Sequence, residues 1–168
     1  MRQIATVAVI VFASASLFAQ GKAVCSLLTA TEVSALGATG QGIPGEMPIS
    51  DGSKKGDTMK MCSWRMNDGG LHLSLATAPP GMSSDAVLDK VNKPYEQLKS
   101  QGWKEEKKDF GNVSCILMTP PAGQKDAPAN TSCLTVAKGM MVSAATVTRT
   151  IVPMSKIKAL VESASGRL

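Results

Sequence analysis

Histidine, aromatic side chains and closely spaced cysteines are scarce in this chain, and each scarcity removes a class of chemistry. Among 168 residues there is one histidine, His72, with three Phe, two Trp and one Tyr. A serine or cysteine nucleophile needs an adjacent base, so an imidazole base here can only be His72. No G-x-S-x-G elbow presents a serine to it. The four cysteines, Cys25, Cys62, Cys115 and Cys133, include no C-x₂₋₄-C pair, the usual spacing of a structural zinc site. "GATGQG", from Gly37 to Gly42, lacks the Lys-Ser/Thr that completes a phosphate loop. The net charge is +5, and lysines are interspersed with acids, as in "KEEKKD" (Lys104 to Asp109). Such mixing marks a solvated face. Nucleic-acid binding needs a clustered basic stripe or aromatics beside it, so no nucleic-acid partner is expected.

What is present begins with a leader. Arg2 precedes an apolar run from Ile4 to Phe18 that ends among small residues. This is the layout of a secretory signal peptide, and the run is short for a membrane span. Cleavage after Ala15 or after Ala19 fits the small-residue pattern, and Ala19 is preferred. The expected organisation is therefore a signal peptide over residues 1–19 and one domain over 20–168, secreted or periplasmic, with no stable membrane anchor after cleavage. The mature length of about 150 residues suffices for a single core.

Local signals then order the elements. "LLTATEVSALG" (Leu27 to Gly37) reads as a helix whose start carries a Thr29/Glu32 capping box and whose end carries Gly37. Leu28, Val33 and Leu36 form its apolar side. Residues 40–57, rich in Gly, Pro and Ser, read as a mobile surface loop. Around "NDGG" (Asn67 to Gly70), two alternating segments predict a hairpin, with Cys62, Trp64 and Met66 on one face and Met61, Ser63 and Arg65 on the other. His72 alternates away from Leu71 and Leu73, which makes a Cys62–His72 catalytic pair geometrically awkward. Ser84 is expected to cap a helix running to Gln101, kinked or restarted at Pro94. Trp103 to Lys108 fits an edge strand. Val113 to Thr119, Ser132 to Ala137 and Met140 to Val152 read as further strands, and Pro153 opens a last helix with Ile157, Leu160, Val161 and Ala164 buried. The expected fold is α+β: an antiparallel sheet of about five strands with helices packed on one face.

The series "CSLLTATEVSALG", "CSW", two late-strand cysteines and a C-terminal helix resembles small exported bacterial domains of unknown function found among actinobacterial lipoproteins. It is also similar to extracellular sensor domains of mycobacterial Ser/Thr kinases. The resemblance spans Cys25 to Leu168. It implies two disulfides and an antiparallel sheet with helices, and no catalytic residues. The residues before Cys25, Lys22 to Val24, depart from the Leu-small-small pattern of lipid attachment.

An even cysteine count in an exported chain independently predicts two disulfides. Cys62, pointing inward beside Trp64, is placed to pin the segment around Cys25, while Cys115 and Cys133 sit on strands flanking one loop. The expected pairs are Cys25–Cys62 and Cys115–Cys133. The function expected is a non-enzymatic binding or sensor-like module whose partner is an unidentified protein or small molecule, with no catalytic residue and no cofactor. Ten methionines raise an alternative, a periplasmic Cu(I)-binding protein using Met59, Met61, Met66 and His72, because soft thioethers select Cu(I). An unrecognised hydrolase is the other alternative. Mass spectrometry of exported material is expected to find a mature chain starting at Gln20; full-length protein retained in the membrane would contradict the leader assignment.

Overall fold

Thr29 and Glu32 form the expected capping box. The Thr29 hydroxyl accepts from the Glu32 N–H, and the Glu32 carboxylate accepts from the Thr29 N–H at 2.7 Å. This box opens a short helix, α1 (Ala30–Ser34). Gly37, at φ +82°, turns the chain out of it. The computed structural model describes residues 24–48, 58–124 and 126–168; the expected leader lies outside them.

The next segment overturns one expectation. Residues 40–48 of the expected loop belong to a strand, β1 (Ala38–Pro48), and residues 49–57 lie outside the described residues. Strand propensity there is poor, with two prolines and three glycines, so pairing with the neighbour supplies what local preference does not. That neighbour is β2 (Thr58–Met66), joined through Asn67-Asp68 to β3 (Gly69–Thr77). A proline cannot donate to β2, so Pro44 and Pro48 belong at positions whose backbone groups face the free edge of β1. Two outward positions thereby offer no N–H to a further strand, which protects the edge.

The hairpin turn also differs in detail from expectation. Neither Asn67 nor Asp68 has positive φ. The Asp68 carboxylate instead accepts from Thr150 N at 2.7 Å, tying the turn to a distant connection. Gly69 is required by proximity: a Cβ there would lie 1.8 Å from the Val147 carbonyl oxygen.

The remaining elements are α2 (Ser84–Asn92), a 3₁₀ turn (Lys93–Tyr95), α3 (Glu96–Ser100), β4 (Lys104–Asp109), β5 (Val113–Thr119), β6 (Ala129–Ala137), β7 (Met140–Thr148) and α4 (Met154–Gly166). The interruption falls at Pro94, as its missing donor dictates. The cap is Ser83 rather than Ser84: Ser83 Oγ accepts from Ala86 N, while Ser84 Oγ donates to the Asn112 carbonyl and accepts from Val136 N. Lys138 and Gly139 both have positive φ, which closes the β6–β7 hairpin tightly.

Among the described residues the sheet has seven strands, not about five, in the order β1-β2-β3-β7-β6-β5-β4, all antiparallel. The member not expected is one edge, the Pro/Gly-rich β1; the opposite edge, charged β4, is the edge strand expected at Trp103 to Lys108. Helices lie on both faces rather than one. The first face carries Cys62, Trp64, Leu71, Leu73, Val113, Cys115, Cys133, Val142 and Ala144 beneath α1 and α4. The buried stripe of α4 is Met154, Ile157, Leu160, Val161 and Ala164. The second face carries Ile116, Met118 and Leu134 beneath α2 and α3. The reason is alternation: Cys115 and Ile116 are adjacent and apolar, so β5 is buried on both sides.

Both expected disulfides are formed, Cys25–Cys62 and Cys115–Cys133, and no described cysteine is free. Cys115 and Cys133 are direct cross-strand partners. The closed loops, of sequence separation 37 and 18, stabilise by about 4 and about 3 kcal/mol in the chain-entropy model. Such bonds fit an oxidising, extracytoplasmic setting. Among the described residues no helix is long and apolar enough to cross a membrane.

The chain ends are fastened a second time. Arg167 donates to both Glu32 carboxylate oxygens at 2.8 Å and to the Leu27 carbonyl at 2.7 Å, and Ser163 donates to Glu32 as well. Arg167, ahead of the Ser163 and Thr29 hydrogen bonds, holds the Glu32 carboxyl well below its ordinary range against the opposing effect of desolvation.

Gly69→Ala is expected to lower the urea midpoint by an amount corresponding to roughly 1–3 kcal/mol, the usual range for overpacking. Gly123→Ala, where a Cβ meets nothing within 4 Å, is the control. Equal midpoints for the two variants would refute the close-approach account of Gly69.

Candidate functional site

Among the described residues the helices leave one part of the sheet open. On the second face, α2 and α3 cover β5 and β6 and reach Ala76 and Met141 at one end of β3 and β7. Register then aligns residues across the remaining strands. One row runs Ile43, Ser63, His72, Ala145 and Ser132. The next runs Gly45, Met61, Ser74 and Ser143. Beyond it, Met47 pairs with Met59. None of the residues in these rows is fully buried. Ile43 is 71% exposed and Met47 46% exposed. Both are large apolar side chains left open to solvent on a paired strand.

Ser63 and His72 lie opposite one another in the β2–β3 register, and Ser63 Oγ sits 2.9 Å from His72 Nδ1. Reading the sequence missed this pair, because residues nine apart meet only once the turn length sets the register. The signal that finds it is the two-residue turn itself, which makes 63 and 72 equidistant from the hairpin tip. The ring leans over Gly70, where a Cβ would lie 3.2 Å from Nε2. Burial pushes the His72 pKa down, so the imidazole is neutral near pH 7. Among the described residues no acidic side chain is hydrogen-bonded to it. A hydroxyl–imidazole pair without an orienting carboxylate lacks the third member of a triad.

The metal-ligand set expected from sequence is split. Met66 is buried on the first face with Trp64. His72 points toward Gly70, whereas Met61 stands opposite Ser74. Met59 and Met61 remain together, joined by Met47, which sequence reading had placed in a loop. Among the described residues no three His, Cys, Asp or Glu side chains converge as metal ligands. Disulfide formation occupies all four cysteines, so none is a thiol nucleophile.

Two shallow depressions lie elsewhere. One, of about 320 Å³, includes Leu36, Met66, Asp68 and Thr150; the Asp68 carboxylate there is already engaged by Thr150 N. The other, of about 290 Å³, includes Lys108, Phe110, Leu117 and Ser155. A Ser-x-x-Lys spacing, Ser155 to Lys158, opens α4 beside it. Lys158 is 2.6 Å from Glu162 and 5.8 Å from the Phe110 ring centroid, so its ammonium is committed to an ion pair.

No protein-family model, no curated protein and no solved structure matches this chain.

The acid response separates two groups. The folded pKa of His72 lies below the ordinary 6.5, so the unfolded chain takes up a proton first as pH falls. Stability contributed by the neutral ring is complete above about pH 6.5 and is lost as pH falls through the folded value. The folded pKa of Glu32 lies below the ordinary 4.5, so its contribution is complete above about pH 4.5 and is lost only in stronger acid. Urea midpoints measured against pH are expected to show both declines. His72→Gln should remove the upper one and Glu32→Gln should flatten the lower one; an upper decline that persists in His72→Gln would refute the burial of a neutral ring.

Proposed function

We propose that this protein is an exported, non-enzymatic binding or sensor-like module, secreted or periplasmic, that holds an apolar small-molecule ligand on the open face of β1, β2, β3 and β7. The observation that carries the reading is the exposure of Ile43 and Met47 on a strand whose neighbours on the same face are small or half-buried. A row of serines and alanine beside Ile43 leaves room for a flat ligand, and the Ser63–His72 pair supplies polar groups that fix its orientation. The two disulfides support export. The likeness to exported bacterial sensor domains is part of the same proposal. The prolines along the free edge of β1 make the face, rather than the edge, the binding surface.

An apolar fluorescent dye, 1-anilinonaphthalene-8-sulfonate, serves as the probe. Native oxidised protein is expected to bind it saturably, and Ile43→Asn is expected to weaken binding by about fivefold or more without changing the melting temperature. Dye binding that appears only after reduction, or that ignores Ile43→Asn, would count against the ligand face. Hydrolytic turnover abolished by Ser63→Ala would overturn the non-enzymatic reading.

A further inference from the structure

Half of one strand pair is unusually rich in thioethers. Met47 and Met59 are direct cross-strand partners, and Met61 lies two residues along β2 on the same face. Paired residues on antiparallel strands have Cβ atoms about 5 Å apart, and i, i+2 neighbours lie about 7 Å apart along the strand. The rotatable bonds in each methionine side chain allow the three sulfur atoms to be turned toward a common point with no change in the backbone. The partner of Met61 on β1 is Gly45, where a Cβ would meet nothing within 4 Å; its partner on β3 is the small Ser74. Small residues therefore flank Met61 on both sides, while Met59 packs along the margin of the second apolar cluster. Met47 is 46% exposed, and Met59 and Met61 are half-buried, so an ion has access from solvent.

We infer that Met47, Met59 and Met61 form a binding site for a soft monovalent cation of the Cu(I) class. It deepens the binding-module reading by naming a ligand for one end of the same open face, and it rests on that face being uncovered. Thioethers are soft, neutral donors that select Cu(I) over hard or borderline ions. Being neutral, they need lose no proton to bind, so affinity at this site does not depend on pH as it does at cysteine or histidine sites. Competing thiolates are absent among the described residues, because every described cysteine is in a disulfide. His72 is not a ligand: its Nδ1 is bonded to Ser63 and its Nε2 leans over Gly70. Met66 is not a ligand because it faces the opposite core.

The test uses the oxidised mature protein, labelled with ¹³C at the methionine methyl groups. It is titrated anaerobically with Cu(I) supplied as its acetonitrile complex, against bicinchoninate as competitor, with Ag(I) as a redox-inert parallel. One ion per chain is expected, tighter than micromolar. The Met47, Met59 and Met61 methyl resonances are expected to shift, with Met66 and the His72 ring unmoved. Affinity should be equal at about pH 5 and about pH 7.5. Met59→Leu/Met61→Leu should weaken binding by about a hundredfold while leaving the melting temperature unchanged, and Met66→Leu should have no effect on affinity. Binding no tighter than millimolar, binding that survives the double substitution, or a shift of the His72 ring would overturn the assignment. Dye binding that depends on Ile43 is read separately, so loss of the metal site and loss of the ligand face are distinguishable.

Discussion

The Cys25–Cys62 bond decides which side of the sheet is sealed. It holds the segment leading into α1 against the inward side of β2, next to Trp64. The first strand must then cross the same place, and it does so at Gly42, where a Cβ would sit 2.3 Å from Cys62 Sγ and 2.8 Å from the Trp64 ring. Only a residue without a side chain leaves that crossing open. The Glu32–Arg167 ion pair closes the same layer from the other terminus, joining α1 to the last turn of α4. One bond is covalent and the other electrostatic, yet both keep α1 on the first face.

With α1 and α4 committed to one face, the other face has too little helix to cover it. The second helical segment is broken at Pro94 into α2, a 3₁₀ turn and α3. These pieces cover β5 and β6, and the cluster beneath them reaches β2 only at Met59. The strands beyond them respond in composition: serines, alanine and glycine fill the middle, and methionines and Ile43 fill the outer end. Small residues expose little apolar surface to water, while flexible thioethers adapt to whatever settles on them. Among the described residues the open face is thus a consequence of how the helices are distributed.

Much of the local structure was legible because its cause is local. The capping box of Thr29 and Glu32, the break at Pro94, the hairpin around Asn67 and the buried stripe of α4 each depend on residues within one or two turns of one another. Both disulfide pairings were legible as well, since alternation shows which way Cys62 points and proximity in sequence places Cys115 near Cys133. The strand β1 was not. Its prolines and glycines argue against a strand, and only hydrogen bonding to β2 makes it one. Nor was the exchange of Ser83 for Ser84 at the helix cap visible, because Ser84 is drawn away by Asn112 and Val136, 28 and 52 residues on.

The sequence by itself determined the periodicities, the caps, the breaks and the covalent staples, since these follow from torsional preference, from alternation and from the placement of cysteines. Tertiary structure decided which faces are covered and which side chains meet. The pairing of Ser63 with His72, the assembly of Met47 with Met59 and Met61, and the removal of Met66 to the opposite core all depend on strand register. Register is the sum of many distant backbone contacts, and a shift of one residue would send every side chain on β2 to the other face.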